Sequence, residues 1–154
     1  MNPVNVNLKS DVRAKHAFIE RLVQRGFDEV RVTGSPADVT ARRGADIFYF
    51  EIKYTAQHEQ YFGAATLTEW EAAFAHGERY KFVVAAERDA IWTFHEYTPE
   101  EFMAFSSVPP FKIFFNIPVG TEKATQSPRR TKRVQLTRER LTQMVDLFRT
   151  FRAK

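Results

Sequence analysis

The chain has 154 residues, of which 44% are hydrophobic and 14% aromatic, enough to bury the core of one domain unaided. It contains no cysteine, which excludes disulfides and thiolate metal sites, and its first 30 residues hold no uninterrupted apolar stretch, so the expectation is a soluble, cytoplasmic protein with no membrane association. The formal net charge of +4 is unevenly spread: residues 1–120 hold 13 Lys and Arg against 16 Asp and Glu, whereas residues 121–154 hold 10 against 3.

Residues 10–25 read as an amphipathic helix. Ser10 is its expected N-cap, Val12, Phe18, Ile19, Leu22 and Val23 supply its core side, and Gly26 ends it. A first strand is expected over 28–33 and a second over 36–41. Arg42-Arg43-Gly44 then signals a turn into 46–54, a run of aromatic and β-branched residues that reads as a third strand. Side chains alternate along a strand, so Glu51 and Lys53 share one face while Phe48, Phe50 and Ile52 share the other. Two charges on a strand otherwise built as core either form a salt bridge at an edge or line a polar site.

A hairpin between the second and third strands brings Asp38 beside Glu51. Carboxylates held that close repel and shift each other's pKa unless a cation lies between them. Mg²⁺ suits such a pair, with Mn²⁺ as a substitute, because it accepts one or two protein carboxylates and keeps its other positions for water and phosphate oxygens. Such a metal polarises a phosphoryl oxygen and lowers the pKa of a bound water, and Lys53 would orient that water or stabilise the developing charge. These are the requirements of phosphodiester hydrolysis. Taken alone, however, a carboxylate two residues from a lysine is more often an ordinary cross-face salt bridge.

The loop 57–63 follows directly, and Gln57 and Gln60 are its expected substrate contacts, although polar loops are usually just solvated. Thr66 with Glu69, or Thr68 with Glu71, forms the capping box of a second helix to about residue 76, with Leu67, Trp70, Ala73 and Phe74 as its buried stripe. Residues 80–86 and 90–97 read as paired strands. Trp70 and Trp92 are expected in the core, and His58, His76 and His95 have no ligand spacing. Thr98-Pro99 opens a short helix to about 105. Residues 111–118 read as a strand between proline breakers, with Phe114 and Phe115 on opposite faces. That strand needs cover on both sides, from a helix or a second subunit, so a homodimer or larger assembly is among the expectations.

Residues 121–136 have the composition of a basic linker, in which Arg129, Arg130, Lys132 and Arg133 cluster in a form suited to phosphate contacts with DNA. Residues 137–154 read as a last helix with Leu141, Met144, Val145, Phe148 and Phe151 on one face. No internal repeat, Gly-rich phosphate loop, Ser-His-Asp arrangement or zinc motif is visible.

The order of these elements resembles the PD-(D/E)xK nuclease superfamily, the restriction-endonuclease-like fold. Glu51-Ile52-Lys53, then Thr66, Glu69, Trp70 and Ala73, then the turn at Gly77 and the strand led by Tyr80, are similar to the domain at the C-terminus of protein NO VEIN, with Ile52 where that branch usually has Val. The resemblance covers about residues 10–100. It implies an α/β fold with a restriction-endonuclease-like core over residues 1–120, a central mixed sheet flanked by helices, to which the C-terminal amphipathic helix read from its periodicity is an extra element. It also implies Asp38 and Glu51 as metal-binding acids, the Ile52 backbone carbonyl as a further ligand, and Lys53 as the catalytic lysine. Many members place a glutamate on the first helix about eleven residues before its closing Gly. Lys15 holds that position here, and Glu20, the nearest acid, is either its substitute or a solvated helix residue. The expected function is a Mg²⁺-dependent DNA endonuclease of restriction, defence or repair. The alternatives are a catalytically degenerate nuclease-fold domain that binds nucleic acid or a protein partner, and an unrelated interaction domain in which Glu51 and Lys53 are a surface pair.

Overall fold

The computed structural model describes residues 9–57, 59–107, 122–123 and 136–152. They fall into two units, Met1–Ser107 and Val108–Lys154. The first is an α/β unit around a five-stranded mixed sheet in the order β1-β2-β3-β4-β5, where β1 is Asp28–Val32, β2 Val39–Arg43, β3 Asp46–Thr55, β4 Tyr80–Arg88 and β5 Ile91–Tyr97. Helix α1 (Ser10–Gln24) precedes the sheet, α2 (Leu67–His76) lies between β3 and β4, and the short α3 (Pro99–Met103) follows β5. All neighbouring strands run antiparallel except β3 and β4. That parallel pair requires a crossover, which the segment carrying α2 supplies.

Helix α1 starts one residue earlier than its sequence suggests. Ser10 is its first helical residue, and Lys9 stands at the N-cap without a side-chain bond. Its end is chemically sharper. Gly26, at φ +80°, donates to Val23 O, and Phe27 donates to Leu22 O, the paired bonds of a Schellman cap that needs a residue free to adopt positive φ. The buried side is Ala14, Phe18 and Leu22. Val12 is only half-buried and Val23 is exposed, because the stripe that meets the sheet is centred on Phe18.

Side-chain alternation divides the sheet into two faces. Toward α1 it presents Val39, Ala41, Phe50, Ile52, Val83 and Ala85, a fully apolar layer. Phe18 packs edge-on against Phe50 at 5.2 Å, and Phe27 meets Phe48 and Phe50 in the same manner. Toward α2 and α3 it presents Tyr49, Tyr80 and Phe82, joined by Ala73, Trp70 and Phe102. Trp70 is thus a packing residue, as is Trp92, which lies over Phe94. On α2, Ala73 is buried, but Leu67 and Phe74 are exposed, so the expected stripe narrows to Trp70 and Ala73.

The hairpins obey turn chemistry. Gly44, at φ +61°, takes the first central position of the two-residue β2–β3 turn, closed by the Arg43–Asp46 pair. Asp89 and Ala90 both have positive φ in the β4–β5 turn, closed by Arg88 and Ile91. The second unit contains α4 (Arg138–Arg152), whose start is capped by Thr137 Oγ1 accepting from the Arg140 N–H. Leu141 and Val145 are exposed and Met144 is half-buried. The expected strand over 111–118, the basic cluster at Arg129, Arg130, Lys132 and Arg133, and the side chains of Phe148 and Phe151 lie outside the described residues, as does His58. Among the described residues no helix is long and apolar enough to cross a membrane.

Candidate active site

The site forms where β2 stops and β3 runs on. Val39 pairs with Phe50, so the next step of the ladder places Asp38 opposite Glu51, but β2 has already ended. Ile52 therefore has no main-chain partner on that side, and its N–H donates instead to Asp38 Oδ2 at 3.0 Å. A strand residue's N–H and C=O point to the same neighbour, so the Ile52 carbonyl faces the same gap. The Asp38 backbone is held by Thr33, whose N–H donates to the Asp38 carbonyl at 2.8 Å and whose hydroxyl donates to the Ala37 carbonyl at 2.7 Å. That clasp closes the loop through Gly34, Ser35 and Pro36.

Glu51 and Lys53 lie on the α2 side of β3, as alternation requires. Glu51 is 8% exposed. The Lys53 ammonium donates to Glu51 Oε1 at 3.3 Å and to Glu69 Oε2 at 2.8 Å. Glu69 is positioned by a capping box: Thr66 Oγ1 accepts from the Glu69 N–H at 3.2 Å, and the Thr66 N–H donates back to Glu69 Oε2 at 2.9 Å. The box built on Thr66, not the one built on Thr68, is the one that forms. Glu69 thus both caps α2 and anchors the lysine, a second role that its sequence pattern does not reveal.

These groups perturb one another strongly. Burial, followed by the negative fields of Asp38 and Glu69, pushes the Glu51 carboxyl up to about 7, against the opposing pull of Lys53. Burial works against the Lys53 charge, but hydrogen bonds and attraction from Glu69 and Glu51 outweigh it and raise its pKa. Burial likewise opposes the Glu69 charge, yet the bonds from Lys53 and Thr66 hold it below the usual carboxylate range. Tyr80, beneath the same acids, is fully buried with a hydroxyl that has no partner, and burial with the fields of Glu51, Glu69 and Asp38 keeps it protonated.

A cleft of about 320 Å³ opens over this arrangement, lined by the Gly34–Pro36 turn, Asp38, Glu51, Glu69 and the start of α2. Lys53 is not among its lining residues and stands behind Glu51 and Glu69. Gln57 and Gln60 are exposed on the loop after β3 and do not line the cleft. Lys15 does reach the site: its ammonium lies 2.7 Å from Asp38 Oδ1. Glu20 is exposed, and five residues from Lys15 it stands about 140° around the helix. Helix α1 therefore brings a lysine to the site and turns Glu20 away.

All side-chain donors here are oxygens, the chemistry that suits a hard divalent cation. Among the described residues no group of three or more His, Asp or Glu side chains is arranged to hold a metal ion. The oxygens that a cation would meet here are those of two carboxylates, Asp38 and Glu51, and of the Ile52 carbonyl, fewer protein ligands than a closed cage and the number that Mg²⁺ accepts when water and substrate complete its shell. No family model, curated protein or solved structure matches the chain.

Proposed function

We propose that this chain is a metal-dependent DNA endonuclease of the PD-(D/E)xK type, built on a restriction-endonuclease-like core. The observation that carries the reading is that Asp38 and Glu51 line one cleft with Lys53 bonded to Glu51 behind it, and that Glu51 is raised to about 7 by burial and by its neighbouring acids. A carboxyl in that state gains most from a cation, whose charge would restore its ionised form. The succession of a helix, three antiparallel strands, a helix and a strand parallel to the third also supports it, since this is the element order on which the sequence resemblance rests.

In this reading Asp38, Glu51 and the Ile52 carbonyl hold Mg²⁺, or Mn²⁺ in its place. The metal supplies Lewis acidity toward a phosphoryl oxygen and toward a water molecule. The chain's own groups do the rest. Glu69 and Glu51 fix the Lys53 ammonium, which offers a protonated donor for charge developing on the phosphate or for orienting the attacking water. Asp38, tied to the Ile52 N–H, presents its carboxylate at a constant place and orientation.

DNA is favoured as the polymer by the charge distribution, a tail of +7 after residue 120 on a body of −3. If Arg129, Arg130, Lys132 and Arg133 neutralise roughly four phosphates, log affinity should fall with log salt at a slope of about −3.6. Replacing all four with Ala should flatten most of that slope. An unchanged slope would move the DNA contacts to the loop carrying Gln57 and Gln60.

One observation favours a second reading, a degenerate nuclease domain that only binds nucleic acid or a protein partner. Lys15 neutralises Asp38 where the resemblance leads one to expect an acid. A titration of Mg²⁺ and Mn²⁺ against duplex, branched and single-stranded DNA separates the two. Cleavage that disappears in Asp38→Asn supports the enzyme, and metal-independent binding without cleavage supports the degenerate domain.

A further inference from the structure

We infer that Lys15 is a built-in competitor for the divalent cation, occupying in the resting protein the Asp38 oxygen that the cation would take. The inference rests on the metal-dependent reading above and goes beyond it by assigning a role to a residue outside the Asp38, Glu51 and Lys53 set.

The geometry is specific. Asp38 spends one carboxylate oxygen on the Ile52 N–H at 3.0 Å and the other on the Lys15 ammonium at 2.7 Å. Both partners are largely shielded, with 22% of the Lys15 side chain and 21% of the Asp38 side chain exposed. At that depth solvent screens the pair less than it screens a surface bridge. The Ile52 bond is fixed by the sheet, because the β2–β3 ladder does not extend past the Val39–Phe50 pair and Asp38 Oδ2 takes the N–H in its place. Oδ1 is therefore the oxygen left for a ligand, and Lys15 holds it.

Charge balance gives the contact its purpose. Asp38, Glu51 and Glu69 gather three carboxyl groups, and Lys15 and Lys53 bring two ammonium groups to them. Lys53 is tied to Glu51 and Glu69, so Lys15 is the only cation reaching Asp38 among the described residues. A divalent ion arriving at Asp38 and Glu51 must displace or repel that ammonium. Its affinity in the absence of substrate is therefore lowered by the cost of breaking the pair, and the flexible stem of Lys15 allows the head group to leave without disturbing α1.

The test is isothermal titration of the full chain with Mg²⁺ alone and with Mn²⁺ alone, which needs no DNA and no cleavage. Lys15→Met, which keeps the packing length and removes the charge, should bind the ion roughly tenfold tighter than the natural protein, given what a partly buried pair contributes. Lys15→Gln should show the same tightening, so the outcome does not depend on how well one variant folds, and circular dichroism checks both. Lys15→Arg, which keeps the charge, should bind no tighter than the natural chain. Asp38→Asn should weaken ion binding in the natural background and, combined with Lys15→Met, should abolish the gain. Binding that depends on Asp38 but is no tighter in Lys15→Met or Lys15→Gln overturns this inference and leaves the metal-dependent reading standing. Absence of ion binding in every variant overturns both.

Discussion

On the α1 side of β3, Phe50 and Ile52 meet Phe18, Ala14 and Leu22 in a layer made wholly of apolar side chains. On the α2 side of the same strand, Glu51 and Lys53 meet Glu69 and lie above the unpartnered hydroxyl of Tyr80. The two sets alternate residue by residue along one backbone, yet they are governed by different terms. Burial of Phe50 and Ile52 stabilises the fold in proportion to the apolar area removed from water. Burial of Glu51 works against its charge, and the neighbouring carboxylates add to the cost. Stability on one face therefore supports strain on the other, a common arrangement where a rigid sheet presents reactive groups.

Deleting the apolar anchor breaks the comparison most directly. Phe18→Ala removes a fully buried ring that contacts both Phe50 and Phe94, and should cost about 3–5 kcal/mol, read from urea unfolding followed by circular dichroism. A loss below 1 kcal/mol would mean that the α1 layer does not carry the fold.

The polar face should respond in activity instead of stability. Under the endonuclease reading, Lys53→Ala should slow DNA cleavage on the order of 10²- to 10³-fold, with ion binding largely retained. Asp38→Asn should weaken ion binding as well, since it removes a ligand charge. Undiminished cleavage by the purified Lys53→Ala protein would remove Lys53 from the chemistry.

The pH dependence of stability sharpens the contrast. Glu51 has a folded-state pKa of about 7 against an ordinary 4.5, so the folded chain holds its proton more tightly. Its contribution is fully present below pH 4.5 and is lost as pH rises through 7, about 3 kcal/mol in all for the ion-free protein. Glu69, held low, acts in the opposite direction and only in the acid range, and Lys53, raised, matters only above its ordinary 10.5. Between pH 5 and 8, then, Glu51→Gln should flatten the fall in stability that the natural protein shows. Thermal unfolding in chelator across that range reads the effect, and parallel curves for the two proteins would refute it.

The smallest effect belongs to the far end of the sheet. Ala90 adopts φ 61° in the β4–β5 turn, a conformation that disfavours any residue with a Cβ. Ala90→Gly should stabilise the protein by about 1 kcal/mol without altering either face, measurable as a shift in urea midpoint at constant slope.

Much of this architecture was legible in local pattern. Alternation in β3 separates Phe50 and Ile52 from Glu51 and Lys53, Gly26 marks the end of α1, and Gly44 marks the β2–β3 hairpin. Each is a consequence of backbone geometry acting over a few residues, which is why one segment suffices to read it. The extent of the buried stripes was less legible. Val23, Leu67 and Phe74 fit the helical period but are exposed, because the width of a buried face depends on what covers it.

The site divides along the same line. Asp38, Glu51 and Lys53 could be named from strand periodicity and a turn signal; the structure lines one cleft with Asp38 and Glu51 and bonds Lys53 to Glu51 behind it. Glu69 was legible only as a helix cap, since its bond to Lys53 joins groups sixteen residues apart whose approach depends on how α2 packs on the sheet. The partnership of Lys15 with Asp38 was hidden for the same reason: helical spacing shows which residues share a face of α1, but the angle at which α1 crosses the sheet decides that Lys15 meets the carboxylate and Glu20 meets solvent. Local sequence determines which way a side chain points from its own element. Only the packing of elements on one another decides what it points at, because that choice is made by the shared apolar core and not by the charged residues carried along with it.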